Sequence, residues 1–464
     1  MSLLNTQVNS NSIAEIKQIH FGGIGGCAVS ALAQIAISQG ITVTGTDIAE
    51  SVYTKKLRDM GIPIFAEHRS ENVEHVEMLV NSAAIKRDNP EIVGARKRNI
   101  PILKHSEFLG IIMRDHFGIA IAGTHGKTTT DALLGLVLAK AGLDPMVEVG
   151  GWVKEFNGNV RLGNGSLMVV EACEFDHSFL HLSPKIAVVL NIEEDHPDYY
   201  PDVETLKRAF IDFLNLVPDD GNIIISKNGR NIQDVLQKLK TKAEIITFGS
   251  ENNADWQSVQ IQSGVEGTRF TAYKNGGNRG EFLLKIPGKH NVQNALAVLA
   301  VVDSLGIDLT NAESVFASFS GVGRRYEAIT RDRYTLVLDY AHHPSQIRAT
   351  IEAARQNTTG RIITVFQPHT YLRTKYLFHE FTQAFSRSDI TLIADTFIPA
   401  GRGDSPLEAY SSKALVKAIA KKQSDVHYTG SLKTTAKELT DIIREGDLVL
   451  ILGAGDIYTL RNLI

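Results

Sequence analysis

One short run of residues carries the sharpest chemistry in this chain: Gly123, Thr124, His125, Gly126, Lys127, Thr128 and Thr129, set between an apolar strand and a helix. A polyphosphate is held by backbone N–H groups at a helix N-terminus, by a lysine charge and by a hydroxyl that can share Mg²⁺. Glycine lets the backbone approach closely. The usual phosphate loop begins with a glycine five positions before its second glycine. That position is Ile121, so this is a shortened form of the pattern. An ordinary strand–turn–helix with a chance lysine is the bland alternative, and both context and spacing argue against it.

A nucleotide site with Mg²⁺ calls for carboxylates at neighbouring strand ends. Glu171 directly follows the apolar run Leu167 to Val170, with Glu174 and Asp176 close behind, and Asn191 to His196 (NIEEDH) follows the next strand in the same way. Ligands gather at the carboxyl ends of open parallel sheets. Thr128, Glu171 and His196 are therefore expected around one pocket. Most Glu and Asp are simply solvated, but the shared position after apolar strands favours a site. A zinc reading of Cys173, His177, His181 and His196 matches no regular ligand spacing.

Two further groups are less specific. Gly22 to Gly26 opens the chain's first helix, and Gly23, Gly25 and Ala28 fit G-x-G-x-x-A, with Asp47 near the distance expected for a ribose contact. A dinucleotide and a nucleotide sugar suit such a loop equally, because either diphosphate meets the same helix N-terminus. Arg324, Arg325, Asp339, His342, His343, His369 and Arg373 form the other group, again after strands. Paired histidines bind metal, move protons or, more often, orient neighbours. Arg373 has the planar fork that grips a carboxylate, though a plain surface arginine is as compatible with the sequence.

The elements that position these groups alternate strand and helix, which predicts α/β architecture. Strands are expected at 17–21, 41–46, 118–122, 167–170, 186–190, 334–338, 361–366, 390–394 and 448–452, with short strand runs between 223 and 284. Helices are expected at 27–38, from the phosphate loop to about 142, and at 292–305, 345–354 and about 376–385. The 464 residues suit about three domains of ~150 residues, with joins near 118 and 328: 1–118, 119–327 and 328–464. A net charge of −4 gives no reason to expect nucleic acid as a partner. No apolar window is long enough for membrane insertion. The two cysteines make no disulfide framework, and no signal peptide is evident at the start. A cytoplasmic location is the expectation.

The ordered set IHFGGIGG, GTHGKTTT, VEACE, NIEEDHPDYY, GKHNVQNALA, GVGRRYE, DYAHHPSQI, FQPHTYLRT and GAGD, from His20 to Asp456, resembles the Mur ligase family. The resemblance implies a Rossmann-like N-terminal domain, a central P-loop ATPase domain and a Rossmann-like C-terminal domain. It implies an ATP- and Mg²⁺-dependent ligase that joins L-alanine to the lactyl carboxylate of UDP-N-acetylmuramate through an acyl phosphate. Gly23, Gly25, Gly26 and Asp47 match the UDP-sugar loop, and Gly123 to Thr129 match the ATP loop. Asn291 and Asn294 match the adenine and ribose contacts, with Arg325 and Asp339 nearby. Thr128, Glu171 and His196 match metal ligands, and Lys127 supplies charge to the transferred phosphoryl. His342, His369 and Arg373 match the amino-acid site, His342 among the catalytic positions. A monomer or homodimer is expected.

There are departures. Many relatives carry a second acid where this chain has Cys173, and an arginine where it has Thr370; the segment TFIPAGRGD after Asp395 is also looser than usual. Three rivals stand beside this reading: a relative that attaches a whole peptide to the same sugar nucleotide, an NAD-dependent dehydrogenase suggested by the first glycine loop, and a nucleotide-sensing regulator. The dehydrogenase leaves GTHGKT and the Asn291/Asn294 segment unexplained.

Overall fold

The computed structural model describes residues 15–464 except 198, 251–252, 265 and 400–404. The start of the chain, on which the signal-peptide expectation rests, and most of the loose segment after Asp395 lie outside the described residues. Three sheets follow one another along the chain.

The first sheet contains β1 (Gln18–Gly22), β2 (Thr42–Thr46), β3 (Ile64–Phe65), β4 (Met78–Asn81) and β5 (Ile102–Lys104), all parallel, in the order β3-β2-β1-β4-β5. Strand order reverses between β1 and β4, so a crevice opens there at the carboxyl ends. The glycine loop follows β1 into that crevice. Helix Cys27–Ser38 leaves the loop and ends as read from the sequence, with Gly40 at φ +82° just beyond.

The second sheet is β6 (Phe117–Ala122), β7 (Met146–Val153), β8 (Gly158–Arg161), β9 (Leu167–Ala172), β10 (Ile186–Val189), β11 (Asn222–Ser226), β12 (Glu244–Gly249), β13 (Trp256–Gly264), β14 (Gly267–Lys274) and β15 (Gly277–Leu284). Their order is β15-β14-β13-β12-β11-β10-β6-β9-β7-β8. β6 lies between β10 and β9, parallel to both. Its residues are nearly all buried, which accounts for a continuous apolar run where a half-exposed strand would alternate. The phosphate loop therefore emerges between the two strand ends that carry Glu171 and the 191–196 cluster. The hairpin β7–β8 reaches the first domain: Asn159 donates to the Cys27 carbonyl (2.5 Å) and to Ser30 Oγ (2.8 Å).

The third sheet is β16 (Glu327–Thr330), β17 (Tyr334–Asp339), β18 (Ile362–Phe366), β19 (Ile390–Ala394), β20 (Val426–Gly430) and β21 (Asp447–Leu452), ordered β16-β17-β21-β18-β19-β20 and parallel except for β16. The sequence-read joins at 118 and 328 fall within β6 and β16. Two local expectations differ from the structure. The helix expected at about 376–385 is instead a pair, Tyr371–Tyr376 and Phe378–Phe381, broken at Leu377. It starts earlier because the Thr370 side chain caps it, accepting from Arg373 N at 3.3 Å. The region read as short strands also holds a helix, Arg230–Lys238, between β11 and β12.

Candidate active site

The phosphate loop requires its glycines. Gly123 has φ +139° and Gly126 φ +88°, and a Cβ at Gly126 would stand 2.5 Å from Asn294 Oδ1. Helix Lys127–Lys140 begins immediately after. Lys127 is buried, and its ammonium donates to the Gly123 carbonyl (2.5 Å) and to Glu174 (2.9 Å). Burial works against that charge, and Glu174 nonetheless holds it above the usual lysine value. Glu174 is thus the resting counter-ion of the lysine, a role that its place three residues after Glu171 did not reveal.

Thr128 Oγ1 donates to Glu171 at 2.8 Å and accepts from Arg325 at 3.3 Å. His196 has φ +53°, and its Nε2 lies 4.0 Å from Glu174 and 3.9 Å from Asp195. Burial lowers its pKa, against the pull of Asp195 and Glu174, so the ring stays neutral and able to ligate. Its Nδ1 is buried without a partner. A hydroxyl and carboxylate already in contact, with an orphaned imidazole nitrogen nearby, fit a Mg²⁺ held partly by protein and partly by phosphate.

A cleft of about 950 Å³ opens beside the loop, between the central and C-terminal domains. It is lined by His125, Gly126, Thr128 and Thr129 from the loop side, by Asn291 and Asn294 from the start of helix Lys289–Ser304, and by Arg325 and Asp339. Asn291 accepts from Asn294 at 3.1 Å and donates to the Pro287 carbonyl at 2.7 Å, which fixes both amides. Gly123, Thr124 and Lys127 lie beneath, Thr124 Oγ1 exchanging hydrogen bonds with the backbone of Glu193. Arg325 packs over the Tyr340 ring at 4.8 Å. Asp339 accepts from the backbone N–H of Tyr326 (2.9 Å) and Ala341 (2.7 Å); burial raises its pKa against the nearby Arg325.

The C-terminal domain reaches the same region. Ser345 donates to Glu193 at 2.7 Å, and His343 donates to the Glu194 carbonyl at 3.1 Å. Burial opposes the charge of Glu193, yet His125, Ser345 and His343 bring it down to about 2. Arg373, 3% exposed, donates from Nε (2.9 Å) and from its terminal nitrogen (2.7 Å) to Asp195 across the domain boundary. Its other terminal nitrogen is 3.0 Å from His369 Nδ1. The fork read as a carboxylate grip does hold a carboxylate, the chain's own. Asp195 sits in the NIEEDH motif, but no spacing rule pairs it with Arg373. His342 Nδ1 lies 3.0 Å from the Tyr340 carbonyl, which leaves Nε2 without the proton. Burial, with Arg373 nearby, keeps this ring well below the usual histidine value.

A second cavity, about 700 Å³, lies between helix Cys27–Ser38 and the central sheet, lined among others by Cys27, Glu148, Glu171 and Cys173. The Thr128–Glu171 pair therefore forms the wall between the two cavities. Burial pushes both thiols up to about 12, so each is neutral, and Cys173 puts no charge where an acid would. In the first glycine loop, Gly25 N donates to Asp47 at 2.8 Å, and a Cβ at Gly25 would stand 2.7 Å from Thr54. One oxygen of Asp47 thus braces the loop itself. Gly26 caps the helix with an extended backbone. Gly23 has φ +74°.

Sequence profiles of known families match most of the chain: "Mur ligase family, catalytic domain" over residues 18–117, "Mur ligase middle domain" over 121–302 and "Mur ligase, glutamate ligase domain" over 324–455. The UDP-N-acetylmuramate–L-alanine ligase of Geotalea uraniireducens is 41% identical over 446 residues, covering 96% of each chain. The crystal structure of the UDP-N-acetylmuramate–alanine ligase of Thermotoga maritima matches with a TM-score of 0.82 and 28% identity, covering 96% of this chain and 98% of that one. A murein peptide ligase from Psychrobacter arcticus shares the fold, with a TM-score of 0.72 and 23% identity over 96% of this chain and 97% of that one.

Proposed function

The chain belongs to the Mur ligase family, and from that premise we propose that it joins L-alanine to the lactyl carboxylate of UDP-N-acetylmuramate at the expense of ATP, in peptidoglycan precursor synthesis. The observation that carries this reading is the wall formed by Thr128 and Glu171, 2.8 Å apart, with one cavity on each side. ATP occupies the cleft on the Asn291/Asn294 side, and the sugar's carboxylate reaches the wall from the cavity beside helix Cys27–Ser38. UDP lies along the Gly23–Gly26 loop. The choice of alanine over a peptide donor rests on the full-length relative that bears that name.

Phosphoryl transfer demands positioning and charge stabilisation more than covalent help. Lys127 leaves Glu174 for the transferring phosphoryl, and Arg325, already on Thr128, adds a second cation. Mg²⁺, held by Thr128, Glu171 and His196, would neutralise phosphate charge when bound. The acyl phosphate must be shielded from water, which the packing of the C-terminal domain over the cleft provides. The amine then attacks the acyl carbon as the free base, the bond from that carbon to the phosphate oxygen breaks, and inorganic phosphate leaves. His342, neutral and with Nε2 unprotonated, is placed to take a proton near Arg373 and His369. Arg373 and His369 receive the amino acid's carboxylate, which must share or displace Asp195.

Phosphate release is the test, with UDP-N-acetylmuramate, ATP and either a panel of amino acids or L-alanyl-γ-D-glutamyl-meso-diaminopimelate. Release with alanine that requires both partners is expected. Release only with the peptide would replace alanine ligation by peptide ligation, and release without either acceptor would leave a plain ATPase.

A further inference from the structure

Where the central and C-terminal domains meet, four donor atoms converge at the edge of the nucleotide cleft, one of them on His125 of the phosphate loop. We propose that His125, Glu193, His343 and Ser345 form a binding site for a zinc-type divalent cation that pins the two domains together. His125 comes from the phosphate loop and Glu193 from the segment after β10. His343 and Ser345 flank the start of helix Pro344–Asn357. The side-chain ligand atoms of His125, Glu193 and His343 all lie within 4.8 Å of one another.

Five of the six separations among these donors are fixed by direct contacts. Glu193 Oε2 is 3.2 Å from His125 Nε2 and 3.6 Å from His343 Nδ1. Ser345 Oγ is 2.7 Å from Glu193 Oε2, 2.7 Å from His343 Nδ1 and 3.0 Å from His125 Nε2. Four donors each about 2.0–2.1 Å from a tetrahedral Zn²⁺ stand roughly 3.3 Å apart. The two histidine–carboxylate separations bracket that edge, and the contacts of Ser345, at hydrogen-bond length, would open by a few tenths of an ångström around an ion.

His343 turns a lone pair toward the cluster. His343 Nε2 faces the Glu194 carbonyl at 3.1 Å, an acceptor only, so Nε2 carries the ring proton. Its Nδ1 receives the Ser345 backbone N–H at 3.3 Å and so presents a lone pair. Ser345 has one hydroxyl proton, and two acceptors, His343 Nδ1 and the Glu193 carboxylate, each stand 2.7 Å from its oxygen. The single proton cannot serve both. With the Ser345 N–H on Nδ1 and the hydroxyl proton on the carboxylate, the 2.7 Å approach of Oγ to Nδ1 sets two lone pairs face to face, which a cation between them would relieve. A cation at the centre would take a lone pair from each of the four. The carbonyl on the remote nitrogen of His343 is the kind of partner that orients metal-bound imidazoles. Two imidazoles with a carboxylate and a hydroxyl at this spacing suit Zn²⁺ better than Mg²⁺, which prefers an octahedral shell made mostly of oxygens.

Each domain supplies two of the four donors, so the ion closes the cleft. His125, Glu193 and Ser345 also line the nucleotide cavity, so the ion occupies space beside the phosphate loop and opposes nucleotide entry. The proposal rests on donor geometry and not on the ligase reading.

The test uses the full chain, stripped with a chelator and free of nucleotide, with Zn²⁺ or Co²⁺ alone. Calorimetry is expected to find one Zn²⁺ per chain, and Co²⁺ to give the intense visible absorption of a tetrahedral site. Ser345→Ala, which removes only a hydroxyl, should weaken Zn²⁺ at least tenfold, and His343→Ala should abolish the cobalt bands. Circular dichroism reports whether each variant is folded, and Ser345→Ala decides the matter if His343→Ala is not. A pale, octahedral cobalt spectrum in the parent chain, or unchanged Zn²⁺ affinity in folded Ser345→Ala, overturns the site. Because no turnover is measured, failure here leaves the ligase reading intact, and failure of the ligase assay leaves this one intact.

Discussion

Lys127 spends the resting state bound to Glu174 and to the loop's own Gly123 carbonyl. Its charge is already desolvated and aimed along the loop, so little reorganises when a phosphoryl arrives. Lys127→Ala is expected to lower turnover by about 10²–10³-fold or more, while calorimetry still finds UDP-sugar binding. Near-parental turnover would remove the phosphate-loop assignment. Glu171 offers a different signature. Glu171→Gln keeps the contact with Thr128 but loses charge, and the Mg²⁺ concentration for half-maximal rate should rise several-fold; an overlaying Mg²⁺ titration would show that Glu171 is no ligand. Arg373 has two partners competing for one fork. Arg373→Ala should raise the KM for alanine about tenfold or more, with those for ATP and the UDP-sugar nearly unchanged. The substitution also leaves Asp195 buried and unpaired, a cost of about 3–5 kcal/mol. Comparing it with Asp195→Asn separates the roles, since an equal loss for all three substrates in both variants would make Arg373 a domain tie and nothing more.

At the scale of elements, the parallel strands set what their loops can do. β1 is braced from below by a buried network in which Glu91 accepts from Thr46 (2.5 Å) and Asn72 (2.8 Å) and meets His20 (3.3 Å) and His68 (2.7 Å). Burial resists the charge of Glu91, and these hydrogen bonds bring it from 4.5 down to about 2. A carboxylate lowered in the folded state stabilises above its unfolded value and loses that contribution as pH falls. The contribution is of order 3 kcal/mol at neutral pH. Glu91→Gln should therefore lower the neutral-pH stability of the chain. The gap from the parent should close as pH drops from 4.5 toward 2, read by thermal melts across that range. A gap independent of pH would assign the loss to packing. Thr370 matters at this scale too. By capping helix Tyr371–Tyr376 it sets the turn on which Arg373 points at Asp195.

At the scale of the molecule, the C-terminal domain is fastened over the cleft by a small number of polar ties: Ser345 to Glu193, His343 to the Glu194 carbonyl, Arg373 to Asp195 and Tyr376 to the Pro201 carbonyl at 3.1 Å. Three of the four receiving residues follow β10 directly. A hinge closed by side-chain ties, with the apolar cores of the C-terminal domain separate from the others, can open without unfolding either domain. No helix among the described residues is long and apolar enough to cross a membrane.

The sequence by itself determined the elements and the loop chemistry. β6, helix Cys27–Ser38 and β19 were legible because a buried parallel strand is a continuous apolar run, and a helix between glycine loops has little freedom in where it starts or stops. Lys127, Thr128 and Glu171 were legible as a group because each follows such a strand, and parallel strands bring their carboxyl ends to one edge. What only the tertiary structure decided was partnership between separate strand ends, within the central domain and across the domain boundary. Glu174 as the counter-ion of Lys127, Asp195 in the fork of Arg373, and Glu193 between His125 and Ser345 all depend on how separate strand ends face one another. Periodicity records which face of an element is buried, but side-chain pairing over 152 or 178 positions of separation leaves no local trace. The contact arises from the packing of two sheets whose relative placement no single segment encodes.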